Sequence, residues 1–119
     1  MKNIFNSFKY ALEGVIYTFK NEINFVIQFS IFIIIIGAGI IFKITRIEWI
    51  VILLLSTFVL SLELINTAFE VLVDLTIEDY HDLAKKSKDI AAGSVFIMSL
   101  FSALIGILIF YPYILEWIK

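Results

Sequence analysis

Cysteine is absent from the 119 residues, which removes disulfides, thiolate metal sites and cysteine nucleophiles together. Histidine occurs once, as His81 inside a charged segment, a setting that favours a solvated or hydrogen-bonded ring over a catalytic one. Charge of either sign is in short supply. Nine Lys and Arg against eleven Asp and Glu leave a net charge of -2, so no basic field exists to attract nucleic acid in bulk. Glycine-rich phosphate loops and protein-kinase motifs are also missing, so any nucleotide site must be built from helix faces. No repeat, low-complexity segment or flexible linker divides the chain, whose length suits one compact unit. Met1 to Lys20 interleaves Lys with Phe and Tyr. It lacks the short apolar core and small-residue cleavage site of a secretory signal, and is expected to be mature protein.

What the chain has in abundance is hydrocarbon. Hydrophobic residues make up 61% and mean hydropathy is +1.01, beyond the roughly 45–50% apolar content of soluble domains. Residues Ile23 to Phe42 carry no charge, and twenty residues at about 1.5 Å each cross a hydrocarbon core of about 30 Å. A second apolar stretch, about 47–75, admits Glu63, Asn66, Glu70 and Asp74 in its latter half. The third, about 90–115, is uncharged and ends near Pro112, with Tyr111, Tyr113 and Trp117 placed like an interfacial belt. These lengths predict three membrane-spanning helices, and thus an all-α membrane protein.

The first twenty residues obey another rule. Phe5, Phe8, Leu12, Val15 and Phe19 recur at spacings of three and four, while Lys2, Asn6, Lys9, Glu13 and Lys20 take other faces. The pattern predicts an amphipathic helix over about 3–20, lying on the membrane surface; a soluble amphipathic helix packed on a partner is the alternative. Three spans put the N-terminal segment and the second loop, about 76–89, on one side with Lys2, Lys9, Lys20, Lys85, Lys86 and Lys88. The other side has Lys43, Arg46 and Lys119. The positive-inside rule assigns the lysine-rich side to the cytoplasm, where ATP is.

At about 100° per residue, Glu63, Asn66, Glu70 and Asp74 share an arc of about 80°. Ionised groups at membrane depth cost several kcal/mol each unless they face protein or water, so this stripe needs a partner or a task. Carboxylates suit a hard cation such as Mg²⁺, which takes one or two of them plus phosphate oxygens and waters. Glu70 in the second span and Glu22 at the mouth of the first are the candidates. Glu63 lies about two turns deeper, where a lipid hydroxyl can reach it and burial favours general-base work. Lys85, Lys86 and Lys88 lie close by, as a polyphosphate requires. Alternatives are a solvated positive-inside loop for the lysines, and for the acids either ion pairs with neighbouring subunits or a proton path in a small transport subunit.

The residues Glu63-Leu-Ile-Asn66-Thr-Ala-Phe-Glu70, then Asp74, Tyr80-His81 and Lys88-Asp89-Ile-Ala-Ala-Gly-Ser-Val95, resemble the prokaryotic diacylglycerol kinase family, which includes undecaprenol kinases of Gram-positive bacteria. The resemblance runs from about Phe5 to the end. It implies a homotrimer in the bacterial inner membrane, with active sites shared between chains near the cytoplasmic face. It further implies Glu63 as the base that takes the lipid hydroxyl's proton, Glu22 and Glu70 as holders of the metal on ATP, and Asn66 and Asp74 as supporting residues. Tyr10, Asp79, Tyr80, His81, Lys88 and Asp89 correspond to nucleotide contacts. The implied reaction is direct transfer of the γ-phosphate of ATP to diacylglycerol or undecaprenol. Two departures stand out. Asn3, beside Lys2, replaces an Arg that touches ATP and lipid in some relatives, and Asn24 to Gln28 lacks the Arg and Glu found near there in diacylglycerol-specific members. The lipid is therefore open.

Overall fold

The computed structural model describes residues 4–76 and 81–119. The described residues form four helices: α1 (Ile4–Asn21), α2 (Ile23–Phe42), α3 (Arg46–Thr76) and α4 (Asp82–Ile118). The last three are long and apolar enough to cross a membrane. Their large apolar side chains mostly point outward, among them Ile34, Phe96 and Leu108, as expected where the solvent is hydrocarbon rather than water.

The helix boundaries have local causes. Only Glu22, in an extended conformation, separates α1 from α2, and its N–H donates to the Thr18 carbonyl at 2.9 Å. At the other end of α2, Lys43 turns left-handed at φ 55 and ψ 55, and its N–H returns to the Gly39 carbonyl, a common way to satisfy a helix's last carbonyls. The Thr45 N–H then donates to Glu48 Oε1 at 3.0 Å, while the Glu48 N–H donates to Thr45 Oγ1 at 3.2 Å. This reciprocal pair is a capping box, and it starts α3.

The same end is clamped by packing. Gly39 brings α2 so close to Trp49 that an added Cβ would lie 2.7 Å from the indole. Phe42 meets Phe110, Tyr113 and Trp117 with ring centroids 5.2 to 6.1 Å apart, and the Tyr113 hydroxyl donates to Glu48. A largely apolar groove of about 610 Å³ runs between α2, α3 and α4; Gln28, which lines it, donates to Ser99 at 3.1 Å.

Helix α4 extends beyond the expected third span at both ends. It runs through Pro112 to Ile118. A membrane helix tolerates the missing N–H, and the contacts of Phe42 on both sides of the proline hold the axis. The stretch 76–89 is not wholly a loop. Helix α4 begins at Asp82, capped by His81, and Lys85 and Asp89 form an i,i+4 ion pair at 2.7 Å, so about two turns precede the apolar span.

Candidate active site

Helix α3 turns one face inward. Ile52, Val59, Glu63, Asn66 and Thr67 are its buried residues, so the polar stripe continues the line along which the helix packs. Exposure rises along it: Glu63 is 5% and Asn66 9% exposed, Glu70 is half-buried, and Asp74 is exposed.

Glu22 and Glu70, 48 residues apart in sequence, are within hydrogen-bond contact of each other. Burial first, then the Glu70 charge and its hydrogen bond, push the Glu22 carboxyl above its ordinary value of 4.5. The charges of both also act on Glu63, so the three glutamates form one electrostatic cluster. Asn66, between Glu63 and Glu70 on the stripe, has a buried Oδ1 with no hydrogen-bond partner among the described residues, and such an acceptor is costly to leave unpaired.

Above the cluster, Lys88 Nζ lies 2.9 Å from Asp74 Oδ1, joining α4 to α3, and the Glu70 charge also acts on it. Asp89 is paired with Lys85. A cation therefore stands beside the carboxylates. Tyr10 is 63% exposed on α1 and lies outside this hydrogen-bonded set. His81 caps α4 through Nδ1. Asp79 and Tyr80, like Lys2 and Asn3, lie outside the described residues.

Two residues at this site carried no reading in the sequence. Thr67, 4% exposed, donates its hydroxyl to the Glu63 carbonyl at 2.9 Å, supporting the turn that presents Glu63. Thr18, 3% exposed, donates in the same way to Gly14 where α1 leans on α3. Its small neighbours Ala11 and Gly14, facing Thr67 and Ala68, were the available signal.

The donor set fits a hard divalent cation. Two carboxyl groups share one place, with the Asn66 amide oxygen about one turn away, and oxygen is the ligand such ions prefer. Among the described residues no group of three or more acidic, histidine or cysteine side chains is placed to hold a metal, so phosphate oxygens and water would complete the shell.

The profile of the prokaryotic diacylglycerol kinase family matches residues 9–110. The chain is 39% identical over 112 residues to the undecaprenol kinase of Bacillus subtilis, covering 94% of this chain and 91% of that protein. It is 40% identical over 105 residues to a diacylglycerol kinase of Synechocystis, covering 87% of this chain and 60% of that protein. A diacylglycerol kinase of Haemophilus influenzae is 35% identical over 97 residues, with 82% of each chain covered. Three membrane-length helices, matched by the family profile and by these relatives over this extent, place the chain in the prokaryotic diacylglycerol kinase family of integral-membrane lipid kinases.

Proposed function

We propose that this lipid kinase transfers the γ-phosphate of ATP to the hydroxyl of a membrane lipid alcohol, undecaprenol or diacylglycerol, at the cytoplasmic face of the bacterial inner membrane. The gathering of Glu22, Glu63 and Glu70 at one end of the spans, beside the Asp74–Lys88 pair, is the observation that carries this reading.

In the proposed mechanism, Glu22 and Glu70 hold a cation of the Mg²⁺ type, which when bound supplies charge neutralisation to the phosphates. Glu63 takes the lipid hydroxyl's proton, with Asn66 as a supporting residue beside it. The lipid oxygen bonds the γ-phosphorus, the bond from that phosphorus to the β–γ bridging oxygen breaks, and ADP leaves. Lys88, held by Asp74, balances phosphate charge, and Asp89 and Tyr10 contact the nucleotide. Burial of Glu63 keeps water from competing with the lipid. The exposed Phe5, Phe8 and Leu12 of α1 suit a helix resting on the bilayer surface, and the outward apolar faces of the spans suit a homotrimer.

The test is an assay on the purified protein in lipid nanodiscs, with labelled ATP and with undecaprenol and diacylglycerol offered separately. Label should enter at least one lipid, and only with Mg²⁺ or a similar cation. Proton or ion flux across proteoliposomes without ATP consumption would replace the kinase reading with the proton-relay one.

A further inference from the structure

The end of the spans opposite the carboxylate cluster carries two cations left without an anion. Lys43 opens the turn between α2 and α3, and Arg46 is the first residue of α3. Both are exposed, and neither side chain forms an ion pair or hydrogen bond among the described residues. The two acidic side chains at this end are engaged elsewhere: Glu48 accepts from the Thr45 N–H and the Tyr113 hydroxyl, and Glu116 lies 3.7 Å from Lys119.

The turn that holds the two cations is fixed on three sides. Ile44 is buried with Ile52 and Phe110, the Thr45–Glu48 capping box sets the start of α3, and the Lys43 N–H returns to the Gly39 carbonyl. Three residues apart, the Cα atoms of Lys43 and Arg46 lie within about 11 Å of each other, so their long side chains can converge on one anion. Lys43 is also the one non-glycine residue with positive φ among the described residues, at 55°. Just past a helix end that conformation usually falls to glycine, which adopts it without the steric cost of a Cβ. Lysine there bears the cost, and what it adds is a charge in a fixed place. Helix α2 is 20 residues long and at about 1.5 Å per residue crosses the hydrocarbon, so with Glu22 at one boundary Lys43 stands at the other, at the level of lipid phosphates. Tyr111 and Trp117 are exposed toward the same end, as interfacial aromatics are.

We propose that Lys43 and Arg46 form a binding site for the phosphodiester of an anionic phospholipid in the leaflet opposite the carboxylate cluster. A headgroup of net negative charge suits two unpaired cations, whereas a zwitterionic one carries its own ammonium beside the phosphate and is attracted less. The site is independent of the proposed chemistry, since it lies at the other end of α2 from Glu22.

For the test, the full chain in neutral detergent is titrated with phosphatidylglycerol or phosphatidylcholine and bound lipid is counted by native mass spectrometry. Thermal unfolding is followed in nanodiscs of either lipid. The variants are Lys43→Gly and Arg46→Gln, singly and together, with Lys119→Gln as a control whose lysine already has Glu116. The parent should prefer phosphatidylglycerol. Each single change should weaken that binding about fivefold and the pair about thirtyfold, as for one and two cations at an anionic membrane surface, with phosphatidylcholine binding and the control unchanged. Because Lys43→Gly also relieves the left-handed backbone, it should melt at or above the parent in phosphatidylcholine and lose the added stability that phosphatidylglycerol gives the parent. Equal binding of both lipids by the parent would overturn the proposal, as would a double variant that holds phosphatidylglycerol as firmly as the parent does. A Lys43→Gly protein that melts lower by the same amount in both lipids would assign Lys43 to the end of α2 alone. Inorganic phosphate that stabilises the parent in phosphatidylcholine as much as phosphatidylglycerol does would replace the lipid site with one for a free anion.

Discussion

Glu63→Gln separates the chemistry of the proposed base from its part in the fold. The substitution preserves size, and the hydrogen bond from Thr67 to residue 63 survives because its acceptor is the backbone carbonyl. What disappears is the proton-accepting carboxylate. A positioned general base contributes about 10²- to 10⁴-fold, equivalent to about 3–5 kcal/mol of barrier, so kcat should fall by at least about a hundredfold. Folding should respond in the opposite sense or not at all. Glu63 is 5% exposed and feels the charges of Glu22 and Glu70, and like charges held in one part-buried cluster repel. Removing one acid from the cluster should thus leave the melting temperature equal or higher. Initial rates of phosphate transfer at saturating ATP and lipid, with thermal unfolding followed by circular dichroism in the same detergent, measure both. A kcat within threefold of the parent would remove Glu63 from the base role. A large loss of activity accompanied by a lower melting temperature would reassign it to the fold.

Because the Glu22 carboxyl is pushed up in the folded chain, the folded state holds more proton there than the unfolded state does. Its stabilising share is therefore complete below the unfolded value near 4.5 and lost as pH rises through the folded one. Without divalent cation, the melting temperature should drop across that interval; with Mg²⁺ the drop should shrink or reverse, and identical profiles would argue against Glu22 as a metal ligand. Gly39→Ala adds a Cβ 2.7 Å from Trp49. Overpacking of about 1–3 kcal/mol, less about 0.5–1 kcal/mol from the helix preference of Ala, should lower the melting temperature, and Trp49→Leu in the same chain should recover part of it. A Gly39→Ala protein that melts with the parent would show that the α2–α3 contact is looser than the structure has it.

Much of the architecture could be read along the chain. The uncharged interval between Glu22 and Lys43 coincides with α2, because a membrane helix is delimited by the desolvation cost of its flanking charges. Periodicity put Glu63, Asn66, Glu70 and Asp74 on one face, and α3 buries the deeper part of that face. The start of α4 was not legible, since histidine is an unusual cap and the charged run after it reads as loop. The continuation of the helix past Pro112 was not legible either: it depends on Phe42, Tyr113 and Trp117, which come together only in three dimensions. The capping box Thr45–Glu48 was present as a four-residue pattern and passes unnoticed inside so short a turn.

Sequence alone determined the three helices of membrane length and the acidic face, because each arises from transfer costs and helical geometry acting over a few neighbouring residues. Tertiary structure decided which groups meet: Glu22 with Glu70, Lys88 with Asp74, Gln28 with Ser99 and Tyr113 with Glu48. Those encounters depend on how far each helix is rotated and tilted against the next, and that is set by the sum of many small packing contacts along the spans rather than by any local pattern.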